Sequence, residues 1–194
     1  MQDRAQRGEF FPPFGRSRSS ALQLLRERHA DAVEHLNGTL LDHLERTERL
    51  LLAWDASDSL AIAGLCHAAY GTDGFAPVLL SLDERAVLAS TVGPDVEATV
   101  YFYASCDRGF LYPRIGAGEW NAFRDRFTGQ VFCPSMEQLS GFADLTLANE
   151  TDVATRDGAS TPLPQWYTSL VHEFQPLASR QMADTCARLV ASAG

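Results

Sequence analysis

Apolar residues recur at helical spacing through most of this chain and predict a series of helices. The first run, from Leu22 to Leu52, predicts a helix over residues 20–54, which can break near Asp31. The second run, from Leu60 to Tyr70, is apolar on nearly every face and therefore predicts a buried helix. A short turn joins the two, so we expect them to pack antiparallel.

The rest of the chain shows the same helical pattern, interrupted by turn residues. Further helices are predicted at residues 84–90, 96–106, 119–127, 135–155 and 165–191. Pro176 is expected to kink or divide the last of them, and glycines and prolines mark residues 107–118 as irregular. No segment shows a convincing strand alternation. The sequence therefore predicts an all-α bundle.

The first 19 residues have neither a helical nor a strand period and are predicted to be an arm preceding one domain of residues 20–194. The arm carries three clustered aromatic residues, Phe10, Phe11 and Phe14. It is expected either to be a free terminus or to dock, on its own domain or on the partner subunit of a homodimer.

Composition narrows the class of protein. A chain of 194 residues that is 45% hydrophobic can bury one substantial core but not comfortably two. A net charge of -9 argues against nucleic-acid binding, which depends on Lys and Arg. No apolar run approaches the roughly 20 residues that cross a bilayer, and no signal peptide is evident. We expect no membrane partner and a cytoplasmic location.

The four cysteines form no CxxC pair. Their spacing therefore favours reduced thiols, most of them buried, over a disulfide framework.

Three histidines are the main chemical signal. His35 and His43 fall at helical spacing through Thr39 and would share a helix face. His67 ends the buried second helix, so antiparallel packing would bring His43 and His67 to one pocket. Imidazole is a common ligand of transition metals, and a metal site is one interpretation. The other is that each histidine is a buried polar group satisfied by a neighbour.

His43, the turn that follows its helix and the run Ala63-Gly64-Leu65-Cys66-His67 resemble the HD-domain superfamily, most closely the hydrolase domains of (p)ppGpp-metabolising enzymes. The resemblance implies an all-α fold holding one or two metal ions through a histidine, a His-Asp doublet and a later aspartate. His43 would be the first ligand and His67 the histidine of the doublet.

Two later segments extend the resemblance. Residues 93–97 resemble the start of the helix after the doublet, and residues 143–149 resemble the segment that supplies the last aspartate, here Asp144, and a nearby asparagine, Asn149. Ala68 stands where the doublet has its aspartate, and Gly71 and Thr72 replace an acidic pair. Because alanine cannot bind a metal, the site is expected either to hold a single ion or to take the missing donor from another side chain.

Other side chains would complete this site. His35, Asp42, Asp107 or Asp144 could supply the missing donor, His35 being the best placed on the predicted helix. Asp107 or Asp42 is the candidate general base. The candidates for orienting a substrate are Tyr70, Thr72, Arg108 and Asn149. Arg108 could bind a carboxylate or phosphate as a bidentate fork, or form a surface ion pair with Asp107 or Asp125.

Together these observations favour a metal-dependent enzyme that acts on a small polar metabolite. It would use one divalent ion of iron, manganese or zinc and work by hydrolysis or iron-dependent oxidation. The alternative is a degenerate HD fold that serves as a non-catalytic ligand-binding or interaction module, as the lost acidic residues suggest.

Overall fold

A computed structural model describes residues 14–36, 38–155 and 162–192. Helices dominate this part of the chain, which confirms the predicted all-α class. They are α1 (Phe14–Glu27), α2 (Leu40–Ala53), α3 (Asp58–Cys66), α4 (Arg85–Val92), α5 (Pro94–Ala104), α6 (Arg108–Gly116), α7 (Met136–Ala154), α8 (Gln165–Phe174) and α9 (Arg180–Ser192). Two antiparallel strand pairs accompany them, β1 (Glu34–His35) with β2 (Gly38–Thr39) and β3 (Phe123–Arg124) with β4 (Val131–Phe132).

The predicted helix over residues 20–54 is two helices, and the break is larger than expected. After α1 the chain forms the β1–β2 pair before α2 begins at Leu40. Thr39 ends the non-helical stretch because its side chain accepts from the Asp42 backbone, while the Asp42 carboxylate accepts from the Thr39 backbone. Leu36 has a positive φ of 41°, which no helix contains. His35 is therefore not on the helix of His43.

Helices α2 and α3 pack closely, as the short connection between them predicts. Ser57 caps α3 by accepting from the backbone of Leu60. Gly64 allows the close approach, since a Cβ added there would lie 2.4 Å from Cδ1 of Leu51 on α2. The C-terminal end of α3 places His67 directly after Cys66.

The predictions for α4, α5, α7 and the C-terminal helices are confirmed in position. Pro94 occupies the first turn of α5, where its missing N–H costs no helical bond. Ser135 caps α7 together with Gln138. The C-terminal helix is divided into α8 and α9 around Pro176, as predicted.

The predictions for residues 107–118 and 119–127 are wrong. The stretch predicted to be irregular contains α6, whose start is fixed by Asp107: its carboxylate accepts from the backbone of Phe110. The predicted helix at 119–127 is instead part of the β3–β4 hairpin. Phe123 in β3 is fully buried and stacks on Phe102 of α5 at 4.3 Å between ring centroids, so tertiary packing overrides the local helical pattern.

An aromatic cluster forms much of the core around the middle of α7. Phe142 lies at its centre, with its ring 5.4 to 6.3 Å from four others. Those four rings belong to Phe102, Tyr103, Phe123 and Phe174.

A buried ion pair joins α1 to α2. The carboxylate of Glu48 is fully buried and accepts two bonds from the guanidinium of Arg18, each 2.8 Å long. Arg18 is also 3.7 Å from the carboxylate of Glu45.

The state of the cysteines and the N-terminal arm were also predicted from the sequence. The cysteine prediction is confirmed: all four thiols are free, with Cys133 exposed and the other three buried. The predicted arm, residues 1–19, falls largely outside the described residues, and residues 14–19 belong to α1. None of the described helices is long and apolar enough to span a bilayer.

Candidate functional site

Three histidines surround a small cavity of about 240 Å³ at the N-terminal end of α2. His43 comes from the first turn of α2, His67 from the end of α3 and His35 from β1. The ring centroids of His43 and His67 are 5.2 Å apart, and those of His35 and His43 are 4.6 Å apart. The predicted meeting of His43 and His67 is therefore present, and His35 joins them from a strand.

His43 is held on both of its ring nitrogens by residues of α7. Its Nδ1 is 2.6 Å from the Asp152 carboxylate, and its Nε2 is 2.9 Å from the Asn149 side-chain oxygen. Because a carboxylate only accepts, Nδ1 must carry a hydrogen. The Asn149 amide nitrogen donates to Glu150, which turns the amide oxygen towards His43.

Asp152 is buried beneath His43 and is also bound by Arg46. The guanidinium of Arg46 contacts both carboxylate oxygens, at 2.5 and 3.0 Å. Burial raises the pKa of Asp152, but the hydrogen bonds from His43 and Arg46 outweigh it and hold that pKa at about 2. The group is therefore an anion at neutral pH.

His67 is fixed by the backbone of its own helix. Its Nδ1 donates to the Gly64 carbonyl over 2.7 Å, so the neutral ring carries its lone pair on Nε2. Its ring also meets Tyr103 edge to face at 5.5 Å. Burial, and next the neighbouring His43, lower the pKa of His67 to about 3.

The low pKa of His67 makes stability depend on pH. In the unfolded chain this histidine has a pKa of about 6.5 and binds a proton at a pH where the folded protein does not. Its contribution to the free energy of unfolding is therefore fully present above pH 6.5 and is lost progressively towards pH 3. The free energy of unfolding falls by up to about 1.4 kcal/mol per pH unit through this group, or by about 2 kcal/mol at pH 5. Urea unfolding in a chelator should therefore show a weaker decline between pH 7 and 5 in His67→Gln.

His172 provides the matched control for this measurement, because it is exposed on α8. The His172→Gln variant should keep the wild-type pH dependence. Equal slopes in wild type and His67→Gln would contradict the assignment.

Arg108 closes one side of the cavity at the start of α6. Its guanidinium donates to the Glu150 carboxylate and to the Tyr103 hydroxyl, each over 3.2 Å. Its backbone N–H donates to Asp73 in the loop after α3. Since each guanidinium contact is single and long, part of the five-donor fork remains for a ligand.

The predicted substrate-orienting residues divide between the cavity and the core. Thr72, Arg108 and Asn149 line the cavity. Tyr70 does not: its hydroxyl donates to the buried carboxylate of Glu97, which is also bound by Arg85. Tyr70 therefore supports the packing of α5.

The structure does not bring the three predicted carboxylates to the cavity. Asp42 accepts from the Thr39 backbone in the cap of α2, and Asp107 caps α6 and pairs with Arg124. Asp144 accepts from the Ser179 backbone and lines a separate groove between α3, α5 and α7. Asp144 is on another face of α7 from Asn149, because five helical positions rotate a side chain by about 140°.

Three functional candidates were missed by the sequence analysis. Asp152, Glu150 and Arg46 contact the pocket residues as described above. The spacing of Asn149 and Asp152, which places both on one helix face, is the signal that could have paired them. Nothing local marks them as partners of His43, which lies 106 and 109 residues away in sequence.

The donor set decides which metal the cavity fits. Within the described residues, no three His, Cys, Asp or Glu side chains form a group able to hold a metal ion. The set predicted from the sequence, which includes Asp144, is therefore not assembled. An amide oxygen is a further metal donor, and Asn149 supplies one.

A mixed donor set fits better. The 2.9 Å between His43 Nε2 and Asn149 Oδ1 is close to the roughly 3 Å expected of two ligands bound at right angles to one ion at about 2.1 Å. The His67 ring, at 5.2 Å, is near enough to share that ion. Imidazole with an amide oxygen and no thiolate suits manganese, iron or zinc.

Comparison with known proteins adds one similarity. None of the curated proteins compared with this chain matches it. The segment that carries the three histidines and ends at Arg108, residues 24–108, is similar to the family described as Domain of unknown function (DUF6817).

Proposed function

We propose that this protein is a metal-dependent enzyme of the HD-like kind that acts on a small polar metabolite. One divalent ion of manganese, iron or zinc would be held by His43, His67 and Asn149, with solvent completing its coordination. HD-like describes the proposed family relation, which rests on the helical fold and on the histidines at residues 43 and 67.

The observation that carries the proposal is the contact between His43 and Asn149. With the Nδ1 hydrogen committed to Asp152, a neutral His43 presents a lone pair at Nε2. Asn149 presents an oxygen lone pair to it from only 2.9 Å. Two acceptors at that distance repel unless a proton or a cation lies between them.

The bound ion would lower the pKa of water for hydrolysis or, if it is iron, activate dioxygen for oxidation. The protein's own groups have separate tasks. Arg108, with donors to spare, would orient a carboxylate, phosphate or hydroxyl of the substrate. The Glu150 carboxylate lines the same cavity and is only 14% exposed, so it is the acidic group best placed to accept a proton from a bound molecule.

The direct test is metal loading. Purified protein incubated with Mn²⁺, Zn²⁺ or, without oxygen, Fe²⁺ and then desalted should retain about one equivalent, measured by elemental analysis. His43→Ala and His67→Ala should lose it, while His172→Ala on exposed α8 should keep it. Wild-type protein that is folded and yet retains none of the three ions would overturn the proposal.

The identity of the retained ion would separate the two reaction types. Iron retention favours oxidation, and retention of zinc or manganese favours hydrolysis. Each retained ion should raise the midpoint of thermal unfolding, and more so the tighter it binds, because an ion that binds only the folded state stabilises it.

A second candidate is a non-catalytic ligand-binding module on the same fold. The observation in its favour is that the cavity, in the described part of the chain, brings together no three His, Cys, Asp or Glu side chains around one point. Ala68 lines the cavity at the position where the His-Asp doublet of HD domains has its aspartate. Retention of a small ligand by protein that binds no metal would favour this candidate.

A further inference from the structure

We infer that Asp152, clamped by Arg46, is a positioning residue: it keeps the hydrogen of His43 on Nδ1 and so makes Nε2 the atom that binds in the cavity. The inference rests on the proposed function for what Nε2 binds. It concerns residues outside the cavity lining, since neither Asp152 nor Arg46 belongs to it.

The carboxylate acts only through the imidazole. Asp152 is 5% exposed, and its Oδ2 is 2.6 Å from His43 Nδ1. Arg46 binds Oδ1 through Nε and Oδ2 through Nη2, which is a fork across both oxygens. The clamp fixes the carboxylate against rotation and so fixes the plane of the histidine ring as well.

The other side of the ring is fixed independently. Asn149 Nδ2 donates to Glu150 Oε1 over 2.9 Å, and Glu150 in turn accepts from Arg108. The Asn149 oxygen is therefore the atom that faces Nε2. His43 thus lies between an anion that demands a hydrogen on Nδ1 and an oxygen that leaves Nε2 able to share a cation.

The two histidines differ in how this is achieved. His67 donates its Nδ1 hydrogen to a main-chain carbonyl, that of Gly64, which substitution of a side chain does not remove. His43 depends on a side chain. Replacing one carboxylate oxygen of Asp152 with an amide nitrogen should therefore reverse the tautomer of His43 and leave that of His67 unchanged.

The Asp152→Asn variant makes that exchange. Its amide nitrogen, in place of Oδ2, gives up the bond from Arg46 Nη2 and can donate to His43 Nδ1. The ring hydrogen then moves to Nε2, which donates to the Asn149 oxygen. Every hydrogen bond of the ring is then still made, and the lone pair of His43 no longer faces the cavity. Loss of such a carboxylate partner costs about 10- to 100-fold in metal affinity in other sites.

Two measurements test the inference on full-length protein labelled with ¹⁵N-histidine. The ring ¹⁵N shifts at pH 7.5 in a chelator report which nitrogen carries hydrogen, and titration with Mn²⁺ or Zn²⁺ reports affinity. In wild type Nδ1 of His43 should carry hydrogen, and with the metal removed a proton takes the place of the ion between Nε2 and Asn149. In Asp152→Asn the proton should be on Nε2, His67 should be unchanged, and affinity should fall about 10- to 100-fold.

Asp144→Asn is the matched control. Asp144 is on the same helix, is buried to the same 5% exposure and lines the other groove. It should leave both the His43 shifts and the affinity unchanged. Arg46→Gln provides a second variant if Asp152→Asn does not fold: it keeps the carboxylate and should keep the His43 tautomer, but it frees the carboxylate to rotate and should lower the affinity. Asp152→Glu should keep the wild-type tautomer.

The outcomes separate the two proposals. A His43 tautomer that is the same in wild type and Asp152→Asn would overturn the positioning role, and so would an unchanged affinity in Arg46→Gln. A tautomer that changes without loss of affinity would also overturn it. If the tautomer changes but wild type binds no ion at all, the proposed function fails while the control of the ring by Asp152 stands.

Discussion

Replacing Arg18 with alanine is expected to lower the free energy of unfolding by about 3–5 kcal/mol, towards the lower end of that range. Arg18 is the partner that offsets the charge of Glu48, whose side chain is fully buried. Without it, an unpaired carboxylate would remain in the interface between α1 and α2. The lower end applies because the Arg18 side chain is 35% exposed, so water can reach part of the vacated space.

Urea unfolding at pH 7.5 measures this effect. Arg26→Ala is the control, because Arg26 is exposed on the same helix and should change stability by less than about 0.5 kcal/mol. A double variant with leucine at positions 18 and 48 should recover most of the loss, since it removes the buried charge with its partner. A decrease in Arg18→Ala no larger than that of Arg26→Ala would show that the pair contributes nothing.

Replacing Phe142 with alanine should cost about 3–5 kcal/mol, the range for truncating a buried phenylalanine. Its ring is 2% exposed and lies among four other aromatic rings, which belong to α5, β3 and α8. These elements converge on it, so they cannot collapse into the cavity without breaking their other contacts.

Phe132→Ala offers the comparison, because Phe132 contacts the edge of the same aromatic cluster. Its ring is 5.4 Å from that of Phe123, but the residue is 40% exposed. It should cost about 1 kcal/mol or less, because much of its surface already contacts water. Thermal and urea unfolding of both variants should show the difference, and equal losses would mean that burial of Phe142 does not determine stability.

The sequence predicted the helices whose ends carry their own signals. Ser57 and Ser135 start α3 and α7 through side-chain caps, and Pro176 separates α8 from α9. The helix predicted over residues 119–127 is wrong because the deciding contact is distant in sequence: Phe123 is buried against Phe102, which the local pattern does not show.

In the candidate site, too, the sequence predicted what local signals determine and missed what distant contacts determine. The adjacency of His43 and His67 was predictable because a short turn joins their helices. Asp152 and Glu150 were not, since α7 reaches the pocket from more than 100 residues along the chain. Asp144 was chosen by resemblance, yet its position on α7 turns it towards Ser179 and another groove.

Gly64 connects the helix interface with the pocket. It has a hydrogen where other residues have a side-chain carbon, which allows the close approach of Leu51 on α2, and its carbonyl holds the His67 ring. A substitution that widens the spacing of α2 and α3 would carry the ring away from His43 while leaving every pocket side chain chemically intact. The distance between the His43 and His67 rings can therefore be altered from the α2–α3 interface, at a residue that does not line the cavity.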